Sequence, residues 1–330
     1  MAEAWVQETS TAPSMISAIV CTYNRCESLR DTLRGLQAQQ TRGGLQTEIV
    51  VVDNNSADHT RDVVEEAMRH GPWPMRYVFE PRQGISHARN RGIREAHGDI
   101  VAFTDDDVVA DADWVQALYN AMTVHEADCV GGKIVPLWMQ APPKWLEEAI
   151  THRRFLAVYS LLDLGPELIV AAHPEQGVAY GANIAFRKAI FSEMGVFSSD
   201  LGLRGMLHLV GEDTEMIERV VRAGKRVVYT PHAVVHHKIG PERMKKSYIR
   251  QWKYYQGLSQ GISASRTESY FQRVFEFGRA CCYDGLRALV AYGRGLWDLG
   301  IVYEASFWTH LGRVVGMAKL LRQAAGQVGH

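Results

Sequence analysis

Three carboxylates stand in a row at Asp105, Asp106 and Asp107, directly after the apolar run Val101-Ala102-Phe103. Adjacent like charges repel, and a divalent cation (manganese or magnesium) is the simplest way to neutralise them. Asp also suits a solvated helix N-cap. The apolar run implies a buried strand, and ligands collect at the carboxyl ends of parallel strands, which favours the metal. Asp53, at the end of an earlier apolar run, is placed to accept a hydrogen bond from a ribose or base, or to make an ordinary turn. Thr22, Tyr23 and Asn24 add an aromatic face that can stack on a base. Cys21 to Arg30 contains no glycine, so neither a dinucleotide fingerprint nor a Walker-type phosphate loop is present. A diphosphate would have to be held by a metal with Arg82, Arg89 or Arg91, which serve equally well as structural partners of acids. Glu212-Asp213 opens a helical pattern. The like charge raises a carboxyl pKa there and the helix N-terminus lowers it, so the pair is either a general base or a bland helix start.

These residues need elements to position them. Ile16 to Thr22 reads as a strand, followed by a helix with Leu29, Leu33 and Leu36 inward. Glu48 to Val52 is a second strand, after which Asp58 caps a helix facing inward through Val63, Val64 and Ala67. Arg76 to Phe79, a helix from Ile85 to Ala96, and the strand Ile100 to Thr104 complete a βαβ series on a parallel sheet. The loops at 22–25, 53–56 and 105–107 should therefore converge on one crevice. A helix is expected over Asp111 to Val124. Gly131-Gly132, Pro136, Pro142-Pro143 and Pro166 then predict a stretch dominated by loops up to about Gly181. A helix from Glu212 to Ala223 precedes the strand Arg226 to Thr230, and a domain change is expected near Pro241, with helices beyond it.

Composition narrows the classes. Of 330 residues, 46% are apolar and 22% charged, which excludes a disordered or collagenous chain. Lys plus Arg number 36 against 37 Asp plus Glu, a net charge of -1, so no nucleic-acid partner is expected. Five scattered cysteines suggest neither a disulfide framework nor a structural zinc, and fit a cytoplasmic setting. Residues 1–14 read as a loose tail without the apolar stretch of a secretory signal. No window reaches about 18 uncharged apolar residues.

Taken in order, Val20-Cys21-Thr22-Tyr23-Asn24-Arg25, Val51-Val52-Asp53-Asn54-Asn55-Ser56, Gly84-Ile85-Ser86-His87-Ala88-Arg89-Asn90 and Phe103-Thr104-Asp105-Asp106-Asp107 resemble the family 2 glycosyltransferases of the GT-A fold. Gly181-Ala182-Asn183-Ile184-Ala185-Phe186-Arg187 and Gly211-Glu212-Asp213 extend the likeness, which runs from about Ile16 to Lys238. The resemblance implies a Rossmann-like α/β domain over 15–240, with a mainly parallel sheet flanked by helices, and a helical C-terminal extension over 241–330. It also implies metal-dependent, inverting transfer of a sugar from a nucleotide diphosphate sugar, a UDP-sugar first, to a hydroxyl acceptor such as a lipid-linked glycan. Surface polysaccharide or glycolipid assembly is the setting it suggests.

Carried over residue by residue, the resemblance gives Thr22, Tyr23, Asn24, Arg25, Asp53, Asn55, Arg89, Asp105 and Asp106 to the nucleotide. Asp107, with Asp105, would hold the metal, and His236 or His237 would be a further ligand, with His236 preferred. Asp213 is the implied base with Glu212 beside it, and Gly181, Asn183 and Glu212 are the implied sugar contacts. No Q-x-x-R-W motif follows Asp213, which argues against a processive synthase. A nucleotidyltransferase and a non-catalytic sugar-nucleotide-binding protein are the alternatives. In the extension, Lys245, Lys246, Arg250 and Lys253 interleave with Tyr248, Trp252, Tyr254 and Tyr255. Packing of that helix on the catalytic domain, a peripheral membrane contact on the inner face of a membrane and a homodimer are all open there. Farther on, Tyr303, Phe307, Leu311, Val314 and Ala318 mark one helical face.

Overall fold

The computed structural model describes residues 15–151, 153–199, 203–204, 207–208, 211–264 and 270–327, and the expected N-terminal tail lies outside them. The first half alternates β1 (Met15–Thr22), α1 (Cys26–Gln37), β2 (Gln46–Asp53), α2 (Thr60–His70), β3 (Met75–Phe79), α3 (Ile85–Glu95) and β4 (Ile100–Asp105). The short β5 (Val108–Ala110), α4 (Trp114–Val124), β6 (Cys129–Trp138), α5 (Lys144–Ala149) and α6 (Arg153–Leu156) follow. Then come β7 (Ile169–Val170), β8 (Asn183–Arg187), α7 (Ala189–Met194), the antiparallel pair β9 (Leu203–Arg204) and β10 (Leu207–His208), α8 (Glu212–Arg222) and β11 (Val227–Ile239). Three helices finish the chain: α9 (Lys246–Ala264), α10 (Tyr270–Gly293) and α11 (Trp297–Gln327).

Among the described residues one nine-stranded sheet has the order β3-β2-β1-β4-β8-β6-β11-β5, with β7 beside β11. The β3-β2-β1-β4 half is parallel, and β8 runs antiparallel between β4 and β6. Ile16, Ile19, Val50, Val51, Ile100 and Val101 are fully buried, as expected of parallel strands covered by helices on both faces. The result is the expected α/β architecture, a central sheet flanked by helices with a helical C-terminal region.

Two segments depart from the expectation. Where loops were expected after Gly131-Gly132, β6 runs for 10 residues through the sheet. A Cβ on Gly131 would stand 2.2 Å from the Val178 carbonyl oxygen, and one on Gly132 would stand 2.3 Å from Asn183 Nδ2. The glycines mark close packing of neighbouring chain, not a break. Pro136 is tolerated because β6 has by then outrun β8. The Ile134 amide faces away from β11 and donates to the Leu162 carbonyl at 2.8 Å, and the amide-less Pro136 nitrogen lies on that same edge. The last strand does not stop at Thr230 either. A register shift between Thr230 and Val234 accommodates Pro231, and β11 continues to Ile239.

α9 packs, as one of the open readings had it. Cβ atoms on Gly257 and Gly312 would stand 1.9 Å from Thr309 O and 2.1 Å from Tyr254 O, so α9 and α11 touch backbone to backbone. Tyr248 stacks on Tyr159 at 6.4 Å, and Lys253 is buried. On α11 the deepest side chains are Ile301, Ala305 and Met317; the face expected through Tyr303 and Phe307 is half-buried, and Ala318 is exposed. Among the described residues no helix is long and apolar enough to cross a membrane.

Candidate active site

The three polar loops converge. Asn54 donates its amide hydrogen to Thr22 O at 2.9 Å, Asn24 donates its own to Ser56 Oγ at 3.0 Å, and Thr22 Oγ1 donates to Asp106 Oδ2 at 2.8 Å. Asn24 and Asn55 hold positive φ, 52° and 68°, a conformation Asn accepts more readily than most residues, so each strand turns sharply out of the sheet. Tyr23 is exposed at the mouth.

The three aspartates have three different surroundings. Asp105 has a side chain one-third exposed (33%) and lies 3.7 Å from the Arg89 guanidinium. Asp106 is buried under Thr22 and Arg25, and burial pushes its carboxyl up to about 6 against the pull of Arg25. Burial alone would raise Asp107 too. His237 at 3.1 Å, Arg243 at 3.3 Å and Arg25 at 2.8 Å instead hold it below the ordinary carboxylate range.

His237, not the preferred His236, faces the aspartates. Neighbouring residues of a strand point to opposite faces. His236 pairs with Asp111 at 2.8 Å, while the His237 ring is buried beside Asp107. His237 Nδ1 lies 2.6 Å from the Tyr159 carbonyl oxygen, which can only accept, so Nδ1 carries a hydrogen and Nε2 is the nitrogen turned to the aspartates. Nε2 faces Asp107 Oδ1 at 3.1 Å, and Arg243 lies 3.0 Å from the same nitrogen. A carboxylate, an imidazole oriented by a backbone carbonyl and the half-open Asp105 are ligand types that suit a divalent ion. Among the described residues no three His, Cys, Asp or Glu side chains are grouped so as to hold a metal ion by themselves, so an ion here would take part of its shell from elsewhere.

On the other side, Arg89 ties the aspartates to the start of α8. Its guanidinium is buried, reaches Glu212 at 2.6 Å and lies over the Phe197 ring at 5.5 Å. Burial, helped by Asp213 and opposed by Arg89, raises the Glu212 carboxyl to about 7. Asp213 is half-buried, and its Oδ2 accepts the Gly181 amide hydrogen at 2.7 Å. A Cβ on Gly181 would stand 2.2 Å from Arg89 Nη2, so a side chain there would displace the guanidinium.

Several expected contacts turn inward. Asn183 was expected to touch a sugar but is fully buried: its Oδ1 accepts from Trp114 Nε1 at 2.8 Å, and its Nδ2 donates to Lys133 O and Ala233 O. It rivets β8 to its neighbours, with both amide hydrogens and one oxygen lone pair used inside the core. Asp53 is buried with Oδ2 accepting from the Tyr77 hydroxyl and Oδ1 from the Ser56 amide, so it shapes the 53–56 loop from inside. Arg82 and Arg91 pair with Glu80 and Glu95, both at 2.8 Å, and leave Arg25, Arg89 and Arg243 as the cations among the aspartates.

A crevice at the carboxyl ends of parallel strands, lined by an acidic run and by an acid pair opening a helix, is the arrangement the motif order implied. Residues 17–195 match the family described as glycosyl transferase family 2. The chain belongs to that family. Two relatives lie along most of this glycosyltransferase. A glucosyl-dolichyl phosphate glucuronosyltransferase of Haloferax volcanii is 28% identical over 75% of this chain and 76% of its own. The succinoglycan biosynthesis protein ExoM of Rhizobium meliloti is 28% identical over 82% of each. In fold, the glycosyltransferase resembles a mannosyltransferase of Pyrobaculum calidifontis solved with GDP-mannose and Mn2+, with a TM-score of 0.62, 19% identity, and coverage of 93% of this chain and 88% of that one. The nucleotidyltransferase and non-catalytic alternatives fall with this assignment.

Sequence reasoning missed Tyr159 and Arg243. Both come from segments without periodicity, and Arg243 follows the Gly240-Pro241 break that reads as a boundary.

Proposed function

We propose that this glycosyltransferase moves a sugar from a nucleotide diphosphate sugar to a hydroxyl acceptor, with inversion at the anomeric carbon and with a divalent cation. The observation that carries the proposal is the single buried guanidinium of Arg89, which brings Asp105 and the Glu212-Asp213 pair into one crevice. Donor-side and acceptor-side carboxylates are thereby held a side chain apart. Asp107 and His237, with Asp105, would hold the cation, which when bound neutralises charge on the departing diphosphate.

The chain's own residues do the rest. Tyr23 offers its ring to the base, and Thr22 and Arg25 fix the aspartates from below. Arg25 and Arg243, now neutralising Asp107, are the cations nearest to a diphosphate seated there. The Gly181 amide aims Asp213. In the transfer step Asp213 takes the proton of the acceptor hydroxyl while that oxygen bonds to the anomeric carbon. The bond from that carbon to the diphosphate oxygen breaks, and its electron pair leaves with the nucleoside diphosphate. Glu212, paired to Arg89, is a positioning residue.

The names of the two relatives, one acting on glucosyl-dolichyl phosphate and one in succinoglycan biosynthesis, favour a lipid-linked glycan as acceptor. Release of nucleoside diphosphate is measured from a panel of UDP- and GDP-sugars, with manganese, with magnesium and with chelator, and the product anomer is read by NMR. Metal-dependent release with an inverted product supports the reading. Metal-independent release or a retained anomer overturns it.

A further inference from the structure

Seven large apolar side chains stand exposed between Phe275 and Trp297, on α10 and the turn that follows it. Phe275, Leu286 and Leu289 are 66%, 62% and 71% exposed, and Tyr283, Leu296 and Trp297 continue the stripe. Positions 275, 279, 282, 283, 286, 289 and 290 recur at helical spacing, so they share one outward face. The opposite face is spent on α11: Ala288 and Ala291 are buried, and Asp284 meets His310 of α11 at 3.5 Å.

Charge along the outward face and the turn is mainly positive. Arg279 on α10 and Arg294 just beyond it are exposed there, against the exposed acid Glu276, while Arg287 turns to α11, where it bonds the Tyr303 hydroxyl. Cations sit beside two aromatics of the stripe: Arg279 is 5.9 Å from the Phe275 ring and Lys246 is 5.8 Å from that of Trp297. Lys246 is also 5.5 Å from the Trp145 ring of α5, so this end of the face is continuous with the catalytic part of the molecule.

We propose that the outward face of α10, through the turn at Trp297, lies in the plane of a bilayer surface and binds anionic lipid. Apolar side chains, with cations beside the aromatics at both ends of the stripe, match the two layers of such a surface: acyl chains below, and phosphate groups at the level of the rings. A second copy of this chain would bring the same arginines face to face, so charge complementarity selects the membrane. The face is too polar and interrupted to span one. The inference moves the membrane contact left open for the Lys245–Tyr255 segment to a different helix, because α9 is packed. It does not depend on the reaction proposed above.

The test is co-sedimentation of the full chain with phosphatidylcholine vesicles and with vesicles containing about one-third phosphatidylglycerol, at low and high salt. Binding to the anionic vesicles, weak binding to the neutral ones and loss in salt are expected. Arg279→Gln and Arg294→Gln should each weaken binding by about fivefold, and Leu286→Glu with Leu289→Glu should abolish it. These side chains are exposed, so the melting temperature should not move. The proposal is overturned if anionic vesicles leave the protein in the supernatant at low salt, or if the leucine variants sediment like the wild type. It is also overturned if ultracentrifugation finds a dimer that Leu289→Glu dissolves, since the second copy would then be the occupant.

Discussion

Replacing Arg89 by methionine removes a buried guanidinium that neutralises Glu212 at 2.6 Å and reaches Asp105 at 3.7 Å. Deleting one partner of a buried ion pair costs about 3–5 kcal/mol, because the remaining charge keeps its desolvation penalty. Glu212 can escape by holding a proton. Burial already raises its carboxyl from 4.5 to about 7 with Arg89 in place, and without it the carboxyl rises further. Above about pH 7 the wild type has released that proton while the folded variant still holds it and the unfolded chain does not. A folded state that binds more protons than the unfolded one loses stability as pH rises, here by about 1.4 kcal/mol per unit. The gap between variant and wild type should therefore widen by about 2 kcal/mol from about pH 7 to about pH 8.5. Urea unfolding across that range reads it directly, and adding Glu212→Gln to Arg89→Met should flatten the pH dependence. A gap that stays constant with pH, or stays below about 1 kcal/mol at the alkaline end, refutes the argument.

Gly181→Ala puts a Cβ 2.2 Å from Arg89 Nη2 and should cost about 1–3 kcal/mol, with a lower transfer rate as Asp213 loses its amide partner's position; a fully active, fully stable variant would show that the segment yields. Asn183→Ala breaks three buried hydrogen bonds and should lose about 2–4 kcal/mol in urea unfolding while the apparent donor affinity of the folded protein holds, the opposite of what a sugar contact would do. His237→Ala should raise the manganese concentration needed for half-maximal turnover at least tenfold, while His236→Ala leaves it unchanged; equal effects would undo the choice between them.

The parallel half of the sheet was legible because strands buried on both faces are continuous runs such as Ile49-Val50-Val51-Val52, and because α1 shows its inner face as Leu29, Leu33 and Leu36. β6 was not legible. Its glycines answer to the Val178 carbonyl and to Asn183, and its proline to an edge that exists only once β8 has ended; none of these neighbours is near in sequence. Pro231 hid the rest of β11 for the same reason, since a bulge is a property of the pairing. In the site, the loops at Thr22, Asp53 and Asp105 could be placed because strand ends converge in any open parallel sheet. Which of two tandem histidines faces Asp107 depends on the register of β11 with β5 and β6, and that Asn183 spends its hydrogen bonds inside the core depends on Trp114 and Ala233. Composition and spacing carry no trace of either.

The central claim, that Asp213 removes the acceptor proton in this crevice, is tested most directly by single-turnover transfer with Asp213→Asn, measured beside donor binding to the same variant. The substitution keeps the size of the side chain and an oxygen for the Gly181 amide but removes the proton acceptor. The account predicts donor affinity close to wild type and transfer slowed by about 10²- to 10⁴-fold. Transfer at a near wild-type rate by Asp213→Asn, whatever Glu212→Gln does, would contradict it.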